Sequence, residues 1–139
     1  MTLDTMPGHL IRRLHQISTS VFAERMKAAG IDMTSVQFAA LTILAENPGI
    51  DQATLAQEIA YDRATIGGVV DRLERKGWVR REVNQDDRRA RQVTLTGEGA
   101  TMLAIVAPVV AALQADILAQ LTAAERAAFV ALASKAVAQ

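Results

Sequence analysis

With 139 residues and a formal charge of zero from 15 basic and 15 acidic side chains, the chain fits one domain or one protomer of an oligomer. Half of its residues are hydrophobic and 4% aromatic, with alanine abundant, a mixture that favours helices packed through small side chains. The absence of cysteine excludes disulfides, cysteine-ligated zinc and a thiol redox sensor. No secretory signal is read in MTLDTMPGHLIRR, and no apolar run is read as approaching the roughly 18 residues that span a bilayer, so the expectation is a cytoplasmic protein without a membrane partner.

Pro7 suits the first turn of a helix, where its missing N–H costs nothing. Leu10, Leu14, Ile17 and Val21 then trace one apolar stripe toward Met26, and Gly30 ends it. Ile11 and Phe22 widen the apolar face beyond what one neighbour covers. Thr34 with Gln37 three residues on is a capping-box pattern. The helix it opens carries Val36, Phe38, Ala39, Leu41, Ile43 and Leu44, apolar on most sides, and is expected at the centre of the core. Asn47-Pro48-Gly49 breaks it. Asp51 caps a short helix with Leu55, Ala56 and Ile59, which runs into the turn 60–62.

Asp62 is expected to cap the following helix, whose Ile66, Val69, Val70 and Leu73 share one buried face, and Gly77 offers a left-handed C-terminal cap. Asp71, four residues before Arg75, is read as its intrahelical partner. Beyond Gly77 the period falls from about 3.6 to 2. Residues 78–83 and 91–96 read as the strands of a hairpin, with a basic tip at 84–90. Two short helices, the second basic and followed by a hairpin, are the parts of a winged helix-turn-helix. Thr96 then caps a helix over 97–121 that is apolar around nearly its whole circumference and needs a partner chain to cover it, with Pro108 placed to kink it or remove one hydrogen bond. Thr122 and Glu125 form a second capping box, opening a last helix with Phe129, Val130, Leu132, Ala133 and Val137.

Charge is concentrated rather than spread. Residues 63–91 hold nine basic side chains against five acidic, a balance of +4, so the remainder of the neutral chain carries −4. A local anionic partner accounts for that better than general solubility does; a solvated charged surface is the alternative. Arginines at 80, 81, 88, 89 and 91 together argue for DNA over the other candidate role, a winged-helix protein-interaction module.

The string DRLERKGWV at 71–79, Asp87 and Arg89 at the hairpin tip, and Val93, Leu95, Thr96 and Gly99 at its exit resemble the MarR family of winged helix-turn-helix transcription regulators. Element order and length match over essentially the whole chain. The resemblance implies a mainly α fold with a small β-hairpin wing: one MarR-type domain over 1–139, with a winged-helix DNA-binding lobe at 32–96 and dimerisation helices at 7–30 and 97–139. It implies a homodimer on double-stranded DNA, favours repression, and matches Arg89 to the tip arginine that enters the minor groove. The N-terminal half of the basic helix would sit in the major groove, with Arg63, Thr65, Gly67 and Gly68 facing bases and Arg72 near phosphate. The two glycines depart from the larger polar residues of many family members; close backbone approach to DNA and internal packing are the two readings. Arg88 and Arg91 are candidate phosphate contacts or solvated charges, and Asp87 is read as an internal partner for a hairpin arginine.

Many family members respond to phenolic or aromatic acids, so a small aromatic or organic anion is the expected effector. It is placed between the dimerisation helices and the DNA-binding lobe, with His9, Arg13 and His15 supplying polar groups beside Leu10, Leu14 and Ile17, and Phe38 supplying an opposing wall. His9 and His15 lie about 240° apart on a helix and are not read as metal ligands. No cofactor and no enzymatic activity are expected.

Overall fold

The structure, a computed structural model, describes residues 1–59 and 63–138, with Arg63 and Ala64 placed by their backbone in a helix. The turn at 60–62 and the expected Asp62 cap therefore lie outside the described residues. The helices are α1 (Pro7–Ala29), α2 (Ser35–Glu46), α3 (Gln52–Glu58), α4 (Arg63–Arg75), α5 (Gly97–Ile117) and α6 (Ala123–Val137), and the strands are β1 (Ile50–Asp51), β2 (Val79–Val83) and β3 (Arg91–Leu95). The chain forms two compact units, residues 30–108 and residues 1–29 with 109–139. α5 runs from one into the other, and Pro108 is the last residue of the first.

In the unit of residues 30–108, local chemistry sets the helix ends. The Thr34 hydroxyl accepts from the Gln37 N–H while the Gln37 side chain accepts from the Thr34 N–H, a complete capping box. The Asp51 carboxylate accepts from the Thr54 N–H and caps α3. Gly77, at φ +80°, ends α4 in the left-handed region. Leu41 and Leu44 of α2, Leu55 and Ala56 of α3, Ile66, Val69, Val70 and Leu73 of α4, and Val79 and Val93 of the hairpin are all buried. The hairpin pairs Val79 with Leu95, Arg81 with Val93 and Val83 with Arg91. β1 pairs antiparallel with the outer edge of β3, Ile50 opposite Val93, completing a three-stranded sheet of order β1-β3-β2. Sequence reading takes Asp51 as a cap only; a two-residue strand is too short to display a period.

The Thr96 hydroxyl accepts from the Gly99 N–H at 3.1 Å and donates to the Gly77 carbonyl at 2.6 Å, fastening the start of α5 to the end of α4. A Cβ at Gly99 would lie 2.1 Å from the Trp78 carbonyl oxygen, so no other residue fits there.

The terminal helices form the second unit. α1 ends at Gly30, φ +71°. The Thr122–Glu125 capping box is complete, and Arg25 pairs with Asp116 at 3.2 Å. Two expectations are corrected. α5 stops at Ile117 rather than 121, and, against the expectation of no such run, it is long and apolar enough by length and composition to cross a membrane. It is also far from buried within one chain. Val106, Val110 and Leu113 are covered, whereas Ile105 is exposed; in α1 Leu10, Ile11 and Ile17 are exposed, and α6 has no buried residue.

Candidate nucleic-acid interface

The period of α4 that buries Ile66, Val69, Val70 and Leu73 leaves Thr65, Gly68, Arg72 and Arg75 exposed. Thr65, Gly68 and Arg72, at i, i+3 and i+7, share one open face. The two glycines differ. A Cβ at Gly68 would meet nothing nearer than Arg72 Nη1 at 3.9 Å, whereas one at Gly67 would point to Gln52 Nε2 of α3 at 3.6 Å. Neither contact is a clash and neither glycine has a positive φ. Packing among the described residues therefore does not demand either. The Arg63 side chain lies outside what the structure describes.

The wing tip holds its own shape. The Asn84 N–H donates to the Ala90 carbonyl, and its side-chain oxygen accepts from the N–H groups of Asp86 and Asp87. Asp87 Oδ1 accepts from the Arg89 N–H at 3.0 Å and lies 3.4 Å from Arg89 Nε. Asp87 is thus the internal partner that its charge suggested, and it orients Arg89, whose side chain is 94% exposed. Arg91 donates to the Arg88 carbonyl at 3.2 Å, and both arginines are exposed. Arg89 and Arg91 line a polar cleft of about 540 Å³ with Asp51, Gln52 and Ile66. Exposed cations on α4 and at the wing tip, each backed by rigid main chain, are suited to hydrogen-bonding phosphate or entering a groove.

Several charges turn inward instead. Asp71 pairs with Arg81 of β2, not with Arg75 four residues on. The helix-local rule missed it because a strand packed on α4 offers a better partner. Arg81 also reaches Gln52 and Glu74. Lys76 donates to the Asp32 carbonyl at 2.6 Å, sits over the Trp78 ring at 4.7 Å and bonds Gln37. Arg80 pairs with Glu82. The cluster counted in the sequence at 80, 81, 88, 89 and 91 therefore separates: Arg88 and Arg89 belong to the tip, and Arg91 opens β3 beside it. One signal was available for Arg81. Period 2 puts it on the face of buried Val79.

The expected effector residues of α1 line two clefts. His9 and Arg13 line a cleft of about 410 Å³ with Leu10, Leu14 and Ile17. His15 lines another, about 640 Å³, with Gln114, Leu118, Arg126 and Phe129. Both clefts belong to the terminal-helix unit, and Phe38, half-buried, belongs to the other. Among the described residues no group of three potential metal ligands occurs.

Comparison with known proteins agrees with this architecture. The MarR family model matches residues 33–90. The transcriptional regulator HosA of Escherichia coli O157:H7 is 34% identical over 135 residues, covering 97% of each chain. BpsR of Bordetella bronchiseptica, whose DNA binding is regulated by 6-hydroxynicotinic acid, is 27% identical and superimposes with a TM-score of 0.88 over 100% of this chain and 99% of its own. The transcriptional repressor CouR, solved on a 23-mer DNA duplex, is 26% identical with a TM-score of 0.85 over 98% and 95%. The winged helix-turn-helix of α3, α4 and the β2–β3 hairpin, matched along its full length by such relatives, is that of a DNA-binding regulator, and the chain belongs to the MarR family of transcription regulators.

Proposed function

We propose that the protein is a homodimeric repressor that binds a pseudo-palindromic operator and leaves it when a small aromatic or organic anion binds. The observation that carries the DNA half is the pairing of exposed Arg72 on α4 with exposed, Asp87-oriented Arg89 on a self-closed tip. Arg72 meets the phosphate backbone, with Arg88 and Arg91 as further phosphate contacts. Arg89 enters the minor groove, where a cation is drawn to narrow A·T-rich DNA. Thr65 and Gly68 face base edges. Two copies related by a two-fold axis would meet half-sites roughly 10 base pairs apart.

The homodimer is supported by the apolar surface that α1, α5 and α6 leave uncovered. A lipid partner for α5 fits less well, because Asp116 near its end is held by Arg25 of α1. A cytoplasmic location belongs to the same reading. On this reading the effector occupies the terminal-helix clefts, where His9 and Arg13 stand with Asp4 beside Leu10, Leu14 and Ile17; the two basic groups in an apolar recess are what an aromatic acid needs, and Asp4 leaves room for only one carboxylate's worth of compensation. BpsR, which answers to such an acid, supports that class.

Protection mapping on the DNA flanking its own gene tests the first half. Arg72→Ala should weaken every sequence and lower the slope of log K against log salt by about 0.9. Arg89→Ala should cost most on A·T-rich flanks, and equal loss on G·C-rich flanks would reject the minor-groove role. Calorimetry with benzoate, hydroxybenzoate, hydroxycinnamate and pyridine carboxylates on wild type and Arg13→Ala, alongside operator release, tests the second half. A ligand shifts the DNA equilibrium only by its differential affinity for the two states, so a compound that binds without releasing DNA is not the effector.

A further inference from the structure

We propose that Arg81 is the positioning residue that sets the angle of the wing against α4, so that Arg89 and Arg72 reach one duplex together; this rests on the DNA-binding reading above. Arg81 lies on β2 with its side chain 22% exposed. Its guanidinium reaches Gln52 Oε1 of α3 at 3.2 Å, Asp71 of α4, and Glu74 Oε1 of α4 at 3.4 Å, while its own N–H donates to Glu74 Oε2 at 3.2 Å. One side chain thus joins both helices of the helix-turn-helix to the hairpin. A planar fork with five donors can serve three acceptors in fixed directions; an ammonium cannot.

Mechanics make the position matter. The hairpin leaves α4 at Val79 and turns at Asn84, about 17 Å away at roughly 3.3 Å per residue. A rotation of about 10° at its base moves the tip by about 3 Å, half the width of a minor groove of about 6 Å. The base is fixed by the Trp78 N–H to the Leu73 carbonyl and by the buried Val79. Farther out, Arg81 supplies the ties from β2 to α3 and α4. Its carboxylate partners are 46% and 42% exposed, so the pairs add little to stability. Their contribution is to direction.

The test is a double-mutant cycle on operator DNA with A·T-rich and with G·C-rich flanks. Arg81→Met should lose affinity about tenfold or more on A·T-rich flanks, lose the preference between flanks, and melt close to wild type. Combined with Arg89→Ala it should cost clearly less than the sum of the two single losses, because the minor-groove contact that Arg89→Ala removes is among the wing contacts that Arg81→Met misplaces. Arg81→Lys should restore little. Additive losses from Arg81→Met and Arg89→Ala would overturn the proposal, since they would make Arg81 a separate contact, and so would unchanged flank preference.

A second readout needs no DNA. The chain has no cysteine, so spin labels at Gln85→Cys and Arg75→Cys report the distance from wing to α4 cleanly. Arg81→Met should broaden that distribution; an unchanged distribution would overturn the proposal. If wild type fails to bind any operator, the functional reading falls while the label distances still decide the role of Arg81.

Discussion

The two compact units of this chain treat their apolar side chains in opposite ways. In residues 30–108 the leucines of α2, α3 and α4 and the inward valines of the hairpin are buried, and Asp71, Lys76 and Arg81 are tied to internal partners. In the terminal helices Leu10, Ile11, Ile17, Val130, Leu132 and Val137 stand exposed, and α6 buries nothing. One unit is finished by its own sequence. The other leaves large apolar side chains in the open, and for that reason assembly and DNA reading are expected to fail separately when mutated.

The largest effect should break the finished unit. Gly99→Ala drives a Cβ into the Trp78 carbonyl and should cost about 3 kcal/mol or more, read as a fall of roughly 10 °C in Tm. A Tm within 2 °C of wild type would show that the α4–hairpin–α5 junction yields more easily than its geometry allows. Next comes the unfinished unit. Ile11→Asp with Val130→Asp should weaken self-association on the order of 100-fold, because a carboxylate would be taken from water into an apolar contact. Sedimentation measures it, and Val83→Asp, also exposed but on the hairpin, should leave the mass unchanged.

A smaller change sharpens the contrast within α4. Gly68→Ala meets no described atom nearer than Arg72 Nη1 at 3.9 Å and should raise stability by up to about 1 kcal/mol, two to four degrees in Tm. A loss of stability would mean that the glycine answers an internal need after all. The smallest effect concerns Glu125, whose carboxyl is held below its ordinary range by the Thr122 N–H and then by the Thr122 hydroxyl. A lowered folded value means that this contribution is present above pH 4.5 and is lost as pH falls through the lowered value. Melting Glu125→Gln between pH 3 and 6 should show a shallower acid slope than wild type.

What the sequence made legible was local. Both capping boxes, the Thr96 cap, the glycine stops at 30 and 77 and the hairpin limits are written within a few residues of where they act. What it hid was assigned by packing. Arg81 finds Asp71 ten residues away across a strand, Lys76 finds Asp32 forty-four away, and β1 exists because β3 has a vacant edge. Charge counting cannot tell an arginine facing solvent from one clamped under a strand. For that reason the basic cluster of the wing is smaller in the structure than in the sequence. The two histidines are the opposite case, since the roughly 240° that helical spacing puts between them is legible and they line different clefts.

The wing tip has a consequence for engineering. Its seven residues, 84–90, close through Asn84 and Ala90 at the mouth, while the strand register from Val79–Leu95 to Val83–Arg91 is set below that closure. The tip is therefore an exchangeable cassette. Loops of equal length that keep the mouth bond could be grafted between the same strands to change which flanking DNA is favoured, leaving the hydrophobic core untouched.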